Sequence, residues 1–523
     1  MPERQYSLKI SVQIIQVMAL LLPTLALGAE NELTHGISVG EVTTDTAIVW
    51  GRCSGSAVLA VEAKSIGGAS KQSAVTGQSQ TKTDGDFTAQ VKLKSLNADQ
   101  AYEVTVTCAD EEGTQGKAER ATFRTAPLPD QSRPISFIVG ADLGGQTYCR
   151  PKDGGYRIFK PMTALKPDFF IANGDMIYAD DHCPERGFEP GVKYIPGGFP
   201  SIADRNVDWT NPELLDTIYW DHWKYNRADP AFQEFLRRVP QYVQWDDHEV
   251  VNDFGARWLY NPHQPKRPGY PTLVQRGIQS LFDYHPLSVH PDEPMRIYRS
   301  FRWGKELEIF IIDARSYRSR NDRVDELAEN GKPVKEMLGT AQLEWLIEGL
   351  RTSDARWKLV SSNVPWSIPT GSHPEAFGSD AYANGQYLPP YLTPYSFEGR
   401  TGFELELLYM LGELDKANVS NLLVAATDVH YASQMRHQGD FDGDGDTLIF
   451  YELISGPLSA VRRMAPPAID DTLNPVVLYA EGNIFNFAYM EIRSVEGEMR
   501  FITDIRDENG QVRPGSELEI RPM

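Results

Sequence analysis

The feature that most constrains this chain is an apolar stretch running straight into an acidic residue, and it recurs along the sequence. Ser136-Phe-Ile-Val-Gly140 leads to Asp142, and Asp168-Phe-Phe-Ile-Ala172 leads to Asp175. Tyr242-Val-Gln-Trp245 leads to Asp246-Asp247, Leu307-Glu-Ile-Phe-Ile-Ile312 to Asp313, and Asn421-Leu-Leu-Val-Ala-Ala426 to Asp428. Short runs of this kind suit strands buried on both faces, the material of parallel sheets. Residues 156–165 have helical spacing and lie between the first two runs, so the set begins with a strand–helix–strand unit. A right-handed crossover makes its strands parallel neighbours or near neighbours. The carboxyl ends of such strands form the ligand-binding edge of the sheet. A nucleotide-binding unit is the rival reading, but residues 140–146 lack the G-x-G-x-x-G pattern it requires.

The residues at these ends have a shared chemistry. Gly174-Asp175-Met-Ile-Tyr178-Ala-Asp180 offers a carboxylate and, three residues on, a phenol. Both donors suit a hard, highly charged cation; the plainer alternative is an aspartate capping a helix. Trp245-Asp246-Asp247-His248-Glu249-Val250, with Asn252 and Asp253 behind it, sets consecutive ionisable groups directly after an apolar strand. That arrangement is costly unless a cation satisfies the carboxylates, and an imidazole beside them makes a proton donor. Asp428 and His430 can turn to one side once the backbone leaves strand geometry, which would complete a two-metal site. Asp313 and Arg315 either orient such ligands, meet an oxyanion, or form a structural ion pair. His182 and His222 read as structural. His373, in a loop, is a ligand, a substrate contact, or neither.

Charge narrows the partners. The 523 residues hold 51 Lys and Arg against 72 Asp and Glu, a net charge of −21. A nucleic-acid platform or an anionic membrane surface rewards the opposite balance. Anionic substrates would be repelled at long range, so a site that processes them needs local cations. Residues 1–29 carry Arg4 and Lys9, an apolar run over 14–27, and small residues Ala26, Gly28 and Ala29. This pattern predicts a cleaved signal peptide and a periplasmic or secreted protein without a stable membrane span; an uncleaved anchor is the alternative. Four cysteines in an exported chain predict disulfides, and their positions favour Cys53–Cys108 and Cys149–Cys183.

Residues 30–130 read as short alternating strands, an all-β sandwich of fibronectin or immunoglobulin type. Within it Ser95-Leu-Asn-Ala-Asp-Gln-Ala-Tyr102 is similar to the stretch before a late strand of fibronectin domains. No catalytic grouping occurs there, so the expected role is accessory: binding or spacing. The proline-bearing stretch Ala126-Pro-Leu-Pro-Asp-Gln-Ser-Arg-Pro134 marks a boundary, with residues 131–523 as the catalytic domain. Asp440-Phe-Asp-Gly-Asp-Gly-Asp446 matches half of a calcium loop, but Tyr451 stands at the twelfth position, and a surface turn is expected. Strands on either side of Glu496-Gly497 predict a hairpin.

Taken in order, Gly174-Asp-Met-Ile-Tyr-Ala-Asp180, Trp245-Asp-Asp-His-Glu-Val250 with Asn252-Asp253, Ser362-Asn-Val-Pro365 and Asp428-Val-His-Tyr-Ala432 resemble the alkaline phosphatase D (PhoD-like) family of calcineurin-like metallophosphoesterases. The resemblance covers the N-terminal segment, the β-domain and nearly all of residues 135–490. It implies an α/β fold, a four-layer αββα sandwich, and a metal-dependent phosphoric ester hydrolase with an Fe3+ and Ca2+ centre. Carried over residue by residue, it implies that Asp175 bridges the metals and that Tyr178 binds ferric iron, as the matching tyrosine does in purple acid phosphatases. Asp247 and Asp428 would hold the second metal, His430 would complete the iron site, and Asn252 would serve the calcium or phosphate side. The catalytic groups would be His248, Asn252 and Arg315. The family often has Gly-Ser-Cys where this chain has Gly140-Ala141-Asp142, so Asp142 stands in for a cysteine ligand. That substitution makes the site harder and leaves Mn2+ or Zn2+ open. The expected reaction is hydrolysis of small-molecule phosphomonoesters by metal-activated water. Phosphodiesters, phospholipids among them, are the runner-up, and a catalytically dead exported binding protein is a third reading.

Overall fold

A computed structural model describes residues 31–67, 73–110, 112–255, 267–319, 325–368, 402–465, 473 and 475–523. The N-terminal segment up to residue 30 and His373 lie outside the described residues, so the signal-peptide expectation and the role of His373 do too. The strands of the N-terminal region are β1 Leu33–Gly40, β2 Ala47–Cys53, β3 Val58–Ser65, β4 Val75–Gln80, β5 Thr88–Leu93, β6 Ala101–Ala109 and β7 Glu119–Arg124. The chain continues through β8 Ile135–Gly140, α1 Phe159–Leu165, β9 Phe169–Asn173, α2 Pro212–Arg227, α3 Pro230–Arg238, β10 Gln241–Gln244 and α4 Tyr270–Tyr284. There follow β11 Arg299–Trp303, β12 Leu307–Ile311, α5 Thr340–Thr352, β13 Trp357–Ser361, α6 Glu404–Lys416 and β14 Leu422–Ala426. The last strands are β15 Ala432–Gly439, β16 Leu448–Ile454, β17 Val476–Glu481, β18 Asn486–Val495, β19 Glu498–Asp507 and β20 Leu518–Ile520.

The apolar runs form strands because both of their faces find a core. In β8, Phe137 and Val139 point into a core shared by two sheets, while Ile138 points the other way. In β12, Leu307, Ile309 and Ile311 enter the same shared core, while Phe310 and Ile312 pack outward under α5 and α6. Each fully buried side chain of this size contributes about 1.5–3 kcal/mol. The period of two thus stacks helices, sheet, sheet and helices, the expected four-layer αββα sandwich. One sheet runs β20-β19-β18-β8-β9-β10-β1-β2-β5 and the other β11-β12-β13-β14-β16-β15-β17. The strands that carry the acids are parallel: β8 with β9, β9 with β10, β12 with β13, and β13 with β14. Their carboxyl ends therefore lie along one edge of each sheet.

The N-terminal strands do more than sit beside this sandwich. β4-β3-β6-β7 form a separate sheet, but β1 pairs in parallel with β10 through Gly40 and Gln241, so β1, β2 and β5 extend the first catalytic sheet. Side chains seal the join. Tyr242 Oη donates to Val42 O at 2.6 Å, Trp50 Nε1 to Asp283 O at 2.6 Å, and Gln90 Nε2 to Phe282 O at 2.8 Å. The buried Arg227 guanidinium lies 3.8 Å from the centroid of the Trp50 ring. Both favoured disulfides form, Cys53–Cys108 and Cys149–Cys183. The hairpin between β18 and β19 turns on Glu496 and Gly497, both with positive φ (54° and 86°), the conformation a two-residue hairpin loop demands. The acidic stretch at 440–446 is a surface turn in which Asp440 accepts from Gly443 N at 2.7 Å and Gly445 N at 3.1 Å. Among the described residues no helix is long and apolar enough to cross a membrane.

Candidate metal centre

Each acid stands just past its strand. Asp142 follows β8, Asp175 follows β9, Asp246 and Asp247 follow β10, and Asp428 follows β14. The backbone turns sharply at these points: φ is 62° at Asp142, 52° at Asp175, 74° at Asp428 and 61° at His430. Side chains other than glycine rarely adopt this left-handed conformation, and strain of this kind clusters where a site needs it. The turn takes the Asp142, Asp175 and Asp428 carboxylates out of the alternation of their strands.

The result is a chain of three linked clusters. Asp142, Asp175 and His430 each bring one donor atom within 4.8 Å of the others. Asp175, Asp247 and His248 form a second such group, and Asp246, Asp247 and Asp428 a third. Asp175 is common to the first two, and Asp247 to the last two. Tyr178 joins the first group, with Oη 3.1 Å from His430 Nε2. Its ring lies against the loop after β8: a Cβ on Gly145 would come within 1.9 Å of the Tyr178 ring, so only glycine fits there. The Asp142, Asp175, Tyr178, Asp247, His248 and His430 side chains are all buried.

The electrostatics of this array call for cations. Both carboxylate oxygens of Asp142, and one each of Asp246 and Asp247, are buried without a hydrogen-bond partner among the described residues. Burial, reinforced by neighbouring carboxylates, pushes the carboxyls of Asp142 and Asp175 well above the usual range. Burial also raises Asp247, against the pull of Arg315, and raises the Tyr178 phenol. Burial, and after it the Arg463 charge, lowers His430 to about 3, which leaves the imidazole neutral with Nε2 able to ligate. Orphaned buried anions cost several kcal/mol each, and a bound cation reverses that cost. Carboxylate, phenol and imidazole donors are hard to borderline, so the residues present fit paired cations of the Fe3+, Mn2+, Ca2+ or Zn2+ class. His430 Nδ1 donates to Val461 O, which fixes the ring with Nε2 facing the cluster.

The model of the PhoD-like phosphatase family matches residues 137–499, and that of the PhoD-like phosphatase N-terminal domain matches residues 23–127. The chain belongs to the PhoD-like phosphatase family. It is therefore a phosphoesterase of the hydrolase class. It is 22% identical over 458 residues to alkaline phosphatase D of Bacillus subtilis (strain 168), covering 82% of this chain and 69% of that protein. A solved structure of PhoD is similar in fold, with TM-score 0.71 and 17% identity over 94% of this chain and 91% of that one. The purple acid phosphatase PPD1 of yellow lupin seeds is similar too, at TM-score 0.58 and 13% identity over 94% of this chain and 74% of that one.

The remaining residues singled out from the sequence of this PhoD-like protein fall as follows. His248 Nδ1 is 2.6 Å from Asp180 Oδ1, and its backbone N–H donates to Asp175 Oδ1 at 3.1 Å. Burial alone would lower its pKa, but Asp180, Asp247 and Asp175 outweigh it and raise the ring well above the ordinary histidine value. Arg315 is fully buried and donates through Nε to Asp246 Oδ1 at 2.5 Å and through Nη2 to Asp428 Oδ1 at 3.3 Å. The Asn252 backbone N–H donates to Asp180 Oδ2 at 2.8 Å. His182 pairs with Asp204 at 2.9 Å, and the buried His222 donates through Nε2 to Pro200 O at 3.2 Å.

Sequence reasoning missed the groups that hold the ligands. Glu249 accepts from Asp175 N at 3.1 Å, Met176 N at 2.7 Å and Asp246 N at 2.8 Å, tying the turns after β9 and β10 together. Beneath the acids a buried polar seam crosses between the sheets. Ser361 Oγ reaches Asn173 Oδ1 at 2.6 Å and Gln244 Oε1 at 2.9 Å, and Gln244 Nε2 donates to Asn363 Oδ1 at 3.1 Å. Asn363 Nδ2 then donates to Asp246 Oδ1 at 2.7 Å. The available signal was a polar residue closing several of the apolar strands: Asn173, Gln244 and Ser361.

Proposed function

We propose that this protein is an exported, metal-dependent phosphatase that hydrolyses small-molecule phosphomonoesters, with residues 30–130 as an N-terminal β-sandwich domain and residues 131–523 as the catalytic domain. The observation that carries the reading is the pair of buried clusters joined at Asp175, one with Asp142 and His430 and one with Asp247 and His248, in which both Asp142 oxygens and one Asp247 oxygen lack hydrogen-bond partners among the described residues. Asp142, Asp175, Tyr178 and His430 would hold one cation, Fe3+ being the first candidate. Asp175, Asp247 and Asp428 would hold the second, Ca2+ or Mn2+. Bound cations lower the pKa of water and neutralise the charge that builds on the phosphoryl group.

The protein's own groups do the rest. Asp175 belongs both to the cluster with Asp142 and to the cluster with Asp247, so it would contribute to holding both cations. Asp180 accepts from His248 Nδ1 and orients the ring, whose other nitrogen, Nε2, lies 3.9 Å from Asp247 Oδ1 at the centre. His248 therefore donates a proton to the leaving oxygen. Arg315 fixes Asp246 and Asp428 in position, and Asn252 supports Asp180 from the loop behind β10. The family membership supports a phosphoesterase, and the two disulfides support an oxidising compartment. The test is turnover of p-nitrophenyl phosphate and bis(p-nitrophenyl) phosphate by the full chain with metals added back. The monoester should be the better substrate, and Asp175→Asn should abolish its hydrolysis. Undiminished turnover in that variant would refute the centre, and a better diester would move the assignment to phosphodiesters.

A further inference from the structure

An anionic ester approaching this molecule meets a net charge of −21 and a cluster of carboxylates. One cation on the rim is held where it can answer that repulsion. The segment around Arg463 is fastened to His430 from two sides: His430 Nδ1 donates to Val461 O, and Arg463 N donates to His430 O at 3.0 Å. Asn483 N donates to Arg463 O at 2.7 Å. Gly482 lies so close beneath that a Cβ there would come within 2.3 Å of Ala465 N and 2.5 Å of Arg463 O. The Arg463 backbone is thus locked to a candidate ligand while its side chain is exposed.

The neighbouring arginines are occupied. Arg462 lies 4.5 Å from the Phe485 ring centroid and 3.7 Å from Glu189, and Arg315 is buried against Asp246. The Arg463 guanidinium has no hydrogen bond or ion pair among the described residues, and its own backbone N–H is bonded to His430 O. An exposed guanidinium with its fork free, beside a phosphoesterase centre, suits bidentate contact with peripheral phosphoryl oxygens.

We propose that Arg463 is a substrate-recognition residue that reads the second negative charge of a phosphomonoester and so sets the preference for monoesters over diesters. The inference rests on the phosphoesterase reading above. A monoester dianion offers a charged oxygen that a diester has covered with an alkyl or aryl group. Removing one charge-assisted contact of this kind costs about tenfold or more.

The test compares the metal-loaded full chain with Arg463→Gln and Arg463→Lys. On p-nitrophenyl phosphate, Arg463→Gln should lower kcat/KM about tenfold, chiefly through KM, and on bis(p-nitrophenyl) phosphate by about twofold or less. Arg463→Lys should fall between, and the thermal midpoints should match. Calorimetric titration with inorganic phosphate and with dimethyl phosphate gives a second readout. Arg463→Gln should weaken the first about tenfold and leave the second unchanged. Equal losses on both substrates, or unchanged phosphate affinity, would overturn the assignment. A wild-type protein that hydrolyses neither ester would sink the phosphoesterase reading instead, and the phosphate titration would still decide whether Arg463 recognises the dianion.

Discussion

Asp142→Asn separates the two things a buried acid can be: a structural group or a metal ligand. Asp142 is 0% exposed, and neither carboxylate oxygen has a hydrogen-bond partner among the described residues. In metal-free protein that group is a burden, and an amide of the same size relieves about 1–3 kcal/mol of it. In metal-loaded protein the same change removes a ligand. A site filled at about a thousand times its Kd adds about 4 kcal/mol, and a hundredfold weaker affinity takes away about 2.7 kcal/mol of that. Unfolding entropy of about 2.1 cal/mol/K per residue makes 1 kcal/mol worth about 1 °C in a chain of this length. Differential scanning calorimetry with chelator should therefore place Asp142→Asn about 1–3 °C above the wild type. With Mn2+ and Ca2+ restored, its metal-induced upward shift should be about 2.5 °C smaller than that of the wild type. A variant less stable than the wild type in chelator, with an undiminished metal-induced shift, would show that the carboxylate holds the fold and not a cation.

Other perturbations reach the surroundings of the centre. Arg315→Leu leaves Asp246 without its closest cation, and urea unfolding should report a loss of about 3–5 kcal/mol, as for other broken buried pairs. Glu406 is fully buried on α6, accepts from Met337 N and Leu338 N, and is pushed up to about 8 by burial. Because its folded pKa lies above the unfolded value, its contribution is fully present below about pH 4.5 and is lost as pH rises through about 8. Stability should fall by a few kcal/mol across that window, and Glu406→Gln should flatten the fall. Replacing Cys53 and Cys108 by alanine opens a loop with a sequence separation of 55 and should cost about 2–4 kcal/mol in the same urea assay.

Much of the fold could be read from the apolar runs because burial on both faces leaves a plain mark: β8, β9, β10, β12 and β14 lie where continuous hydrophobic stretches placed them. Helix α1 was equally legible from the spacing of residues 156–165. The antiparallel strands β15, β16 and β17 were not, because Gln434, Arg436 and Gln438 in β15, and an edge position for β17, dilute the alternation. Helix α4 was hidden by a Tyr-Pro start and by Gly277 at its centre. The continuation of the catalytic sheet into β1 could not be foreseen, since Gly40 and Gln241 meet through backbone alone. At the centre, the acids announced themselves because each closes a strand. Glu249 stood in the same polar run, but nothing in its type distinguishes a carboxylate that accepts three backbone N–H groups from one that binds a cation.

The proposed chemistry requires two cations held by the acids at the strand ends. Elemental mass spectrometry on the purified protein, read together with p-nitrophenyl phosphate turnover during stepwise chelation and reconstitution, tests this directly. Metal content should reach at least two ions per chain, and turnover should vanish and return with it. Full turnover in protein stripped of metal would contradict the two-cation centre.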